Sequence, residues 1–226
     1  MSEPLPQDLR RTTRAHRRAL AKRLSDGIVV LSAERPARRN GDVDYRFRQD
    51  SDFLYLTGVL EPGYALLVDP RRGEETLFVP KLTQAHAVWL GHMPDLAEAR
   101  AAFGVREVAY LEALPKALRS RARGSRVVYA DARSRAAVRR AAPRARIDSP
   151  ALRDALEDLR ITKDEGEIVL LEKASAATAQ GHIAAMGAAR AKSRHPSWAR
   201  STASYTSRWR LVNRPETGKA RVTSAV

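Results

Sequence analysis

The chain has 226 residues, and 41 Lys and Arg against 26 Asp and Glu give it a formal charge of +15. Its 43% hydrophobic content suffices for a sizeable core and excludes wholesale disorder. With no cysteine, a disulfide framework, a thiolate zinc site and a cysteine nucleophile are all excluded, and a reducing compartment is the natural setting.

No apolar run approaches the roughly 18–20 residues of a membrane span. The polar start MSEPLPQDLRR lacks the apolar stretch of a signal peptide, so a cytoplasmic protein with no membrane partner is expected. The positive charge is uneven. Residues 106–146 carry a net +9 and residues 190–226 a net +8, which is more than the whole excess. Such patches attract phosphates. No aromatic platform or recognition motif accompanies them, so a solvated Arg-rich surface is the better reading and a nucleic-acid partner the weaker one.

In chain order, residues 9–25 read as a helix, with Leu20 and Leu24 one turn apart on a basic surface. Ile28–Leu31 suits a buried strand, and the polar stretch 35–52, with Asn40-Gly41, reads as a loop. Phe53–Thr57, Tyr64–Val68 and Thr76–Val79 are expected to form a three-stranded meander, turning at Glu61-Pro62-Gly63 and Arg72-Gly73. Helices follow near 82–90 and 95–103, the second opened by Pro94. Strands are expected at Val108–Leu111 and Arg126–Ala130, with helices near 112–122 and 132–142. This alternation predicts a layered α/β domain with a mixed sheet over 1–146 and a linker near 143–149.

Ser149-Pro150 reads as the start of a further helix, with Ser as cap. Thr162-Lys163-Asp164-Glu165 reads as a capping box opening a long helix to about residue 190. Ile168, Leu171, Ser175, Thr178, His182 and Ala185 recur on one weakly apolar face of it. The last 37 residues hold ten Ser or Thr and nine basic residues around Trp198, Tyr205 and Trp209 without periodicity, which predicts a disordered basic tail over 191–226.

Chemistry is sparse. There is no nucleophile elbow, zincin motif, phosphate loop or dinucleotide fingerprint. His86 and His92 lack nearby carboxylate pairs, and His182 reads as a structural histidine; His16 attracts no role. Asp154, Glu157, Asp158, Asp164, Glu165 and Glu167 flank helix starts, where carboxylates suit the macrodipole, and their spacing shows no convergence on a metal.

The most specific stretch is Tyr45-Arg46-Phe47-Arg48-Gln49-Asp50-Ser51-Asp52-Phe53-Leu54-Tyr55-Leu56-Thr57-Gly58, followed by Glu61-Pro62-Gly63. It resembles the N-terminal domain of aminopeptidase P, the Xaa-Pro aminopeptidases of the creatinase/prolidase superfamily. The resemblance continues at Trp89-Leu90-Gly91, at Leu159–Lys163 with Glu167-Ile168, and from Ala174 to Met186.

That resemblance implies a mixed-sheet, three-layer α/β domain over 1–146, followed by the helical start of a pita-bread catalytic domain over 147–190. It also implies release of an N-terminal residue preceding proline, with two manganese ions held by two Asp, one His and two Glu. Those ligands lie downstream of the long helix in the family, so no catalytic or metal residue is expected here, and the chain reads as truncated or frameshifted and inactive alone. Manganese and proline-containing peptides would then belong to complete enzymes. Trp89 matches a residue that walls a neighbouring subunit's substrate site in the family, which implies a homo-oligomer or a full-length relative as partner. A non-catalytic oligomerisation module is the alternative function, ahead of a nucleic-acid-binding protein.

Overall fold

The computed structural model describes residues 7–81, 95–125 and 127–192. It divides into two compact units, residues 1–168 and 169–226. Within the first lie α1 (Gln7–Arg23), β1 (Ile28–Ser32), β2 (Arg38–Asn40), β3 (Val43–Asp44), α2 (Ser51–Thr57), β4 (Ala65–Asp69) and β5 (Glu74–Val79). Then come α3 (Leu96–Phe103), β6 (Glu107–Tyr110), a 3-10 turn, α4 (Leu114–Ala122), β7 (Val128–Ala130), α5 (Arg135–Ala141), α6 (Ser149–Ile161) and the start of α7 (Glu165–Lys192).

Five strands form one mixed sheet in the order β6-β5-β4-β1-β7. The β1–β4 and β4–β5 pairs are antiparallel, whereas β5–β6 and β1–β7 are parallel. Alternation along the strands divides the core into two layers. Val29, Leu31, Leu66, Val68 and Leu77 face a cluster with Leu20 of α1 and Leu24 just past its end, Phe53 and Leu56 of α2, Phe103 of α3, and Leu152 and Leu156 of α6. Ile28, Val30, Leu67, Phe78 and Val128 face the opposite cluster with Leu114 and Leu118 of α4 and Val138 of α5. Helices cover both faces, as the three-layer expectation required. Leu152 and Leu156, beyond the expected 146/147 boundary, are 2% exposed in the first of these layers.

Several elements differ from expectation. Phe53–Thr57 is helix, not strand, so the meander reduces to β4–β5 and β1 takes β4's other edge. Asp50 forces this: its carboxylate accepts the N–H groups of Asp52 and Phe53, each at 3.0 Å, and so caps a first turn. Gly58, at φ 72°, closes the helix in the left-handed conformation and donates its N–H to the Leu54 carbonyl. Phe53 and Leu56, three apart, therefore share the buried face, and Leu54 is exposed. The expected loop contains the short hairpin β2–β3, turning at Gly41.

The caps also move. Asp148, not Ser149, caps α6 by accepting the Ala151 N–H, while the Ser149 hydroxyl donates to the Ala130 carbonyl. Asp164 and Glu167 form the capping box of α7 in place of Thr162 and Glu165, because that pair brackets the first helical residue. An Asp95–Glu98 box opens α3. Pro94, the helix expected near 82–90 and the tail after residue 192 lie outside the described residues. Among the described residues no helix is long and apolar enough to cross a membrane.

Gly27 joins α1 to β1 at a close approach: a Cβ there would lie 2.5 Å from the Val127 carbonyl oxygen and 2.7 Å from the Tyr129 ring. Gly27→Ala should therefore destabilise the protein by about 1–3 kcal/mol in urea unfolding. A change below about 0.5 kcal/mol would contradict this contact.

Candidate functional site

The conspicuous stretch from Tyr45 to Gly63 is polar because it wires loops together. Gln49 is buried although polar. Its carbonyl accepts the N–H groups of Glu34 (2.7 Å) and Asp50 (3.0 Å), and its amide donates to the Glu61 carbonyl at 2.8 Å. Asp50 caps α2 with one oxygen and receives Arg133 Nη2 at 2.6 Å on the other. Asp52 pairs with Arg160 of α6 at 2.6 Å. These side chains join the ends of β1, α2, β7 and α6.

A second cluster sits where α7 begins. His16 of α1 is 7% exposed and its ring stacks on Tyr55 of α2 at 3.7 Å and 9°. The Tyr55 carbonyl, 2.9 Å from His16 Nδ1, can only accept, so Nδ1 carries a hydrogen. His16 Nε2 faces Asp164 Oδ2 at 3.1 Å and Glu167 Oε2 at 3.7 Å. Burial, reinforced by Glu167 and Asp164, pushes the Tyr55 phenol up to about 12, so it stays protonated and donates to the Leu159 carbonyl. Close by, a Cβ on Gly166 would collide with Thr12 Oγ1, which holds the first turn of α7 close against α1.

His16, Asp164 and Glu167 bring three ligand-type atoms within 4.8 Å of one another, the one such group among the described residues. Glu167 Oε2 already accepts the Asp164 N–H, and Asp164 Oδ1 the Glu167 N–H. Three donors are fewer than the five that the resemblance implies for a pair of metal ions, and the two carboxylates are engaged in the helix cap. These residues do not fit a dinuclear centre. Sequence spacing did not signal the convergence, because His16 lies 148 positions from Asp164.

Trp89, His86 and His92 lie outside the described residues. His182 is exposed on α7 rather than enclosed as a structural histidine. Asp154, Glu157 and Asp158 line the exposed side of α6, where Arg153 meets both Asp154 and Glu157.

Helices on both faces of a five-stranded mixed sheet, entered through the Gln49–Gly58 wiring, define an α/β domain of aminopeptidase P N-terminal type. The family model for the aminopeptidase P N-terminal domain matches residues 13–129, and the chain belongs to that family. It is 30% identical over 168 residues to a probable Xaa-Pro aminopeptidase of Penicillium rubens, covering 73% of this chain and 36% of that protein. Zinc-substituted aminopeptidase P of E. coli in complex with product superposes with a TM-score of 0.68 at 25% identity, over 76% of this chain and 43% of that one. Proline aminopeptidase P II of Yersinia pestis has the same fold, with a TM-score of 0.70 at 24% identity over 78% and 45% of the two chains. The chain spans about a third to two fifths of the length of such curated relatives.

Glu61 in the same stretch has a buried carboxylate oxygen, Oε2, without a hydrogen bond, and burial raises its carboxyl above the usual range. Between the ordinary carboxylate value and the raised one, the unfolded chain releases this proton while the folded chain keeps it. Glu61 therefore subtracts stability as pH rises through that window. Glu61→Gln should gain stability relative to wild type from acid to neutral pH in urea titrations; a pH-independent difference would contradict the burial.

Proposed function

We propose that this chain serves an Xaa-Pro aminopeptidase as its N-terminal domain and catalyses no cleavage alone. Family membership supports the first half of this reading. The second rests on the donor inventory: the three-donor group at His16 does not supply a dinuclear site. In complete relatives of this kind, paired manganese ions would activate a water against the bond before proline; among the described residues no group is placed to take a step in that chemistry. On this reading residues 1–146 form the N-terminal domain, 147–190 begin the catalytic one and 191–226 form a basic tail. The complete enzyme would act in the cytoplasm on peptides bearing proline in second position, and this domain would form oligomers in which Trp89 walls a neighbour's site. With manganese added, the purified 226-residue chain should give no release of the first residue from an Xaa-Pro peptide above a protein-free blank. Metal-dependent turnover would overturn the reading.

A second reading, an association module, draws on the unit beginning at Val169. There Val169, Leu170, Leu171, Ile183 and Met186 are 44–59% exposed on α7. Apolar exposure of that kind marks interaction surfaces. Light scattering after size exclusion should report an oligomer, or a mixed oligomer with a full-length relative. A monomer in both mixtures would remove the module reading.

A further inference from the structure

The two ring nitrogens of His16 are engaged differently. Nδ1 donates its hydrogen to the Tyr55 carbonyl at 2.9 Å, and the ring stacks on Tyr55. Nε2 is left pointing at Asp164 Oδ2, 3.1 Å away, and at Glu167 Oε2, 3.7 Å away. Only 9% of the His16 side chain is exposed. A backbone carbonyl on one ring nitrogen is the arrangement that orients a metal-binding imidazole and raises the basicity of the other nitrogen.

Two carboxylates meet this one imidazole, and among the described residues no Lys or Arg pairs with either of them. The cations close by are committed elsewhere: Arg160 to Asp52, Arg23 to Asp158, and Lys163 to the Arg160 and Ile161 carbonyls. The helix cap does not exhaust the acceptors. It uses Asp164 Oδ1 and one lone pair of Glu167 Oε2, whereas a carboxylate offers about four such positions. Gly166, where a Cβ would strike Thr12 Oγ1, lets the first turn of α7 bring both carboxylates up to α1.

We infer that His16 Nε2, Asp164 and Glu167 bind a single zinc ion, which clips the start of α7 to α1. Zinc bonds of about 2.0–2.1 Å in a tetrahedron put neighbouring donors about 3.3 Å apart, and the observed 3.1 and 3.7 Å bracket that spacing. Calcium and magnesium take oxygen shells and would leave the imidazole unused. Asp164, with 38% of its side chain exposed, leaves a fourth position open to water. One ion on three donors is distinct from the five-donor pair that the resemblance implies. The inference stands without the peptidase reading, since a clip needs no turnover.

The test is calorimetric titration of the full chain, stripped with a chelator, with zinc chloride and separately with calcium chloride. Saturable zinc binding is expected, at least tenfold tighter than calcium, with a raised melting temperature. Asp164→Asn combined with Glu167→Gln keeps both capping acceptors and should weaken zinc at least tenfold, with the metal-free melting temperature at the wild-type value. His16→Gln, which removes the nitrogen donor but keeps an amide for the Tyr55 carbonyl, should weaken zinc to the same degree. His182→Ala, at an exposed position further along α7, should bind zinc like wild type. The inference is overturned if zinc gives no saturable heat, if calcium binds as tightly, if the double variant or His16→Gln binds zinc like wild type, or if His182→Ala loses zinc as they do.

Discussion

Arg17 lies on α1 with its side chain fully enclosed, and its guanidinium reaches three other parts of the domain. Nε and Nη2 meet Glu75 of β5 at 2.7 and 3.1 Å, Nη1 donates to the Leu56 carbonyl at the end of α2, and Nη2 reaches the Gly104 carbonyl after α3. A buried charge is tolerable only when its donors find acceptors in good geometry. Arg17 meets that condition by tying one helical layer to the sheet. Through it α1 is tied to the end of α2, to β5 and to the turn after α3.

The family-defining stretch then acquires a structural meaning. Gln49, Asp50 and Asp52 do not converge on a reacting atom; they satisfy backbone groups and guanidinium ions where strands end and helices begin. A resemblance carried by such residues marks a shared scaffold, and this agrees with a chain that spans only about a third to two fifths of its longer relatives.

Much of the architecture was legible because burial imposes a period. Ile28–Leu31 and Thr76–Val79 are short apolar runs ended by polar residues, and both are strands buried on two faces. Phe53–Thr57 misled because aromatic and β-branched residues favour strands, whereas one side-chain cap at Asp50 and one glycine at 58 outweigh that preference over seven residues. On α1 only Leu20, with Leu24 just past its end, announced the buried face; Thr13, His16 and Arg17 lie on it too, and polar residues carry no hydrophobic period. Contacts between distant positions, such as His16 with Asp164 or Asp50 with Arg133, leave no local trace in the chain.

The central claim, that the enclosed Arg17–Glu75 pair holds the first unit together, is tested most directly by urea unfolding of Arg17→Ala against Arg18→Ala, its exposed neighbour on the same helix. Stranding Glu75 and the Leu56 carbonyl should cost about 3–5 kcal/mol, while the change at 18 should stay within about 0.5 kcal/mol of wild type. Equal, small losses for the two variants would contradict the account.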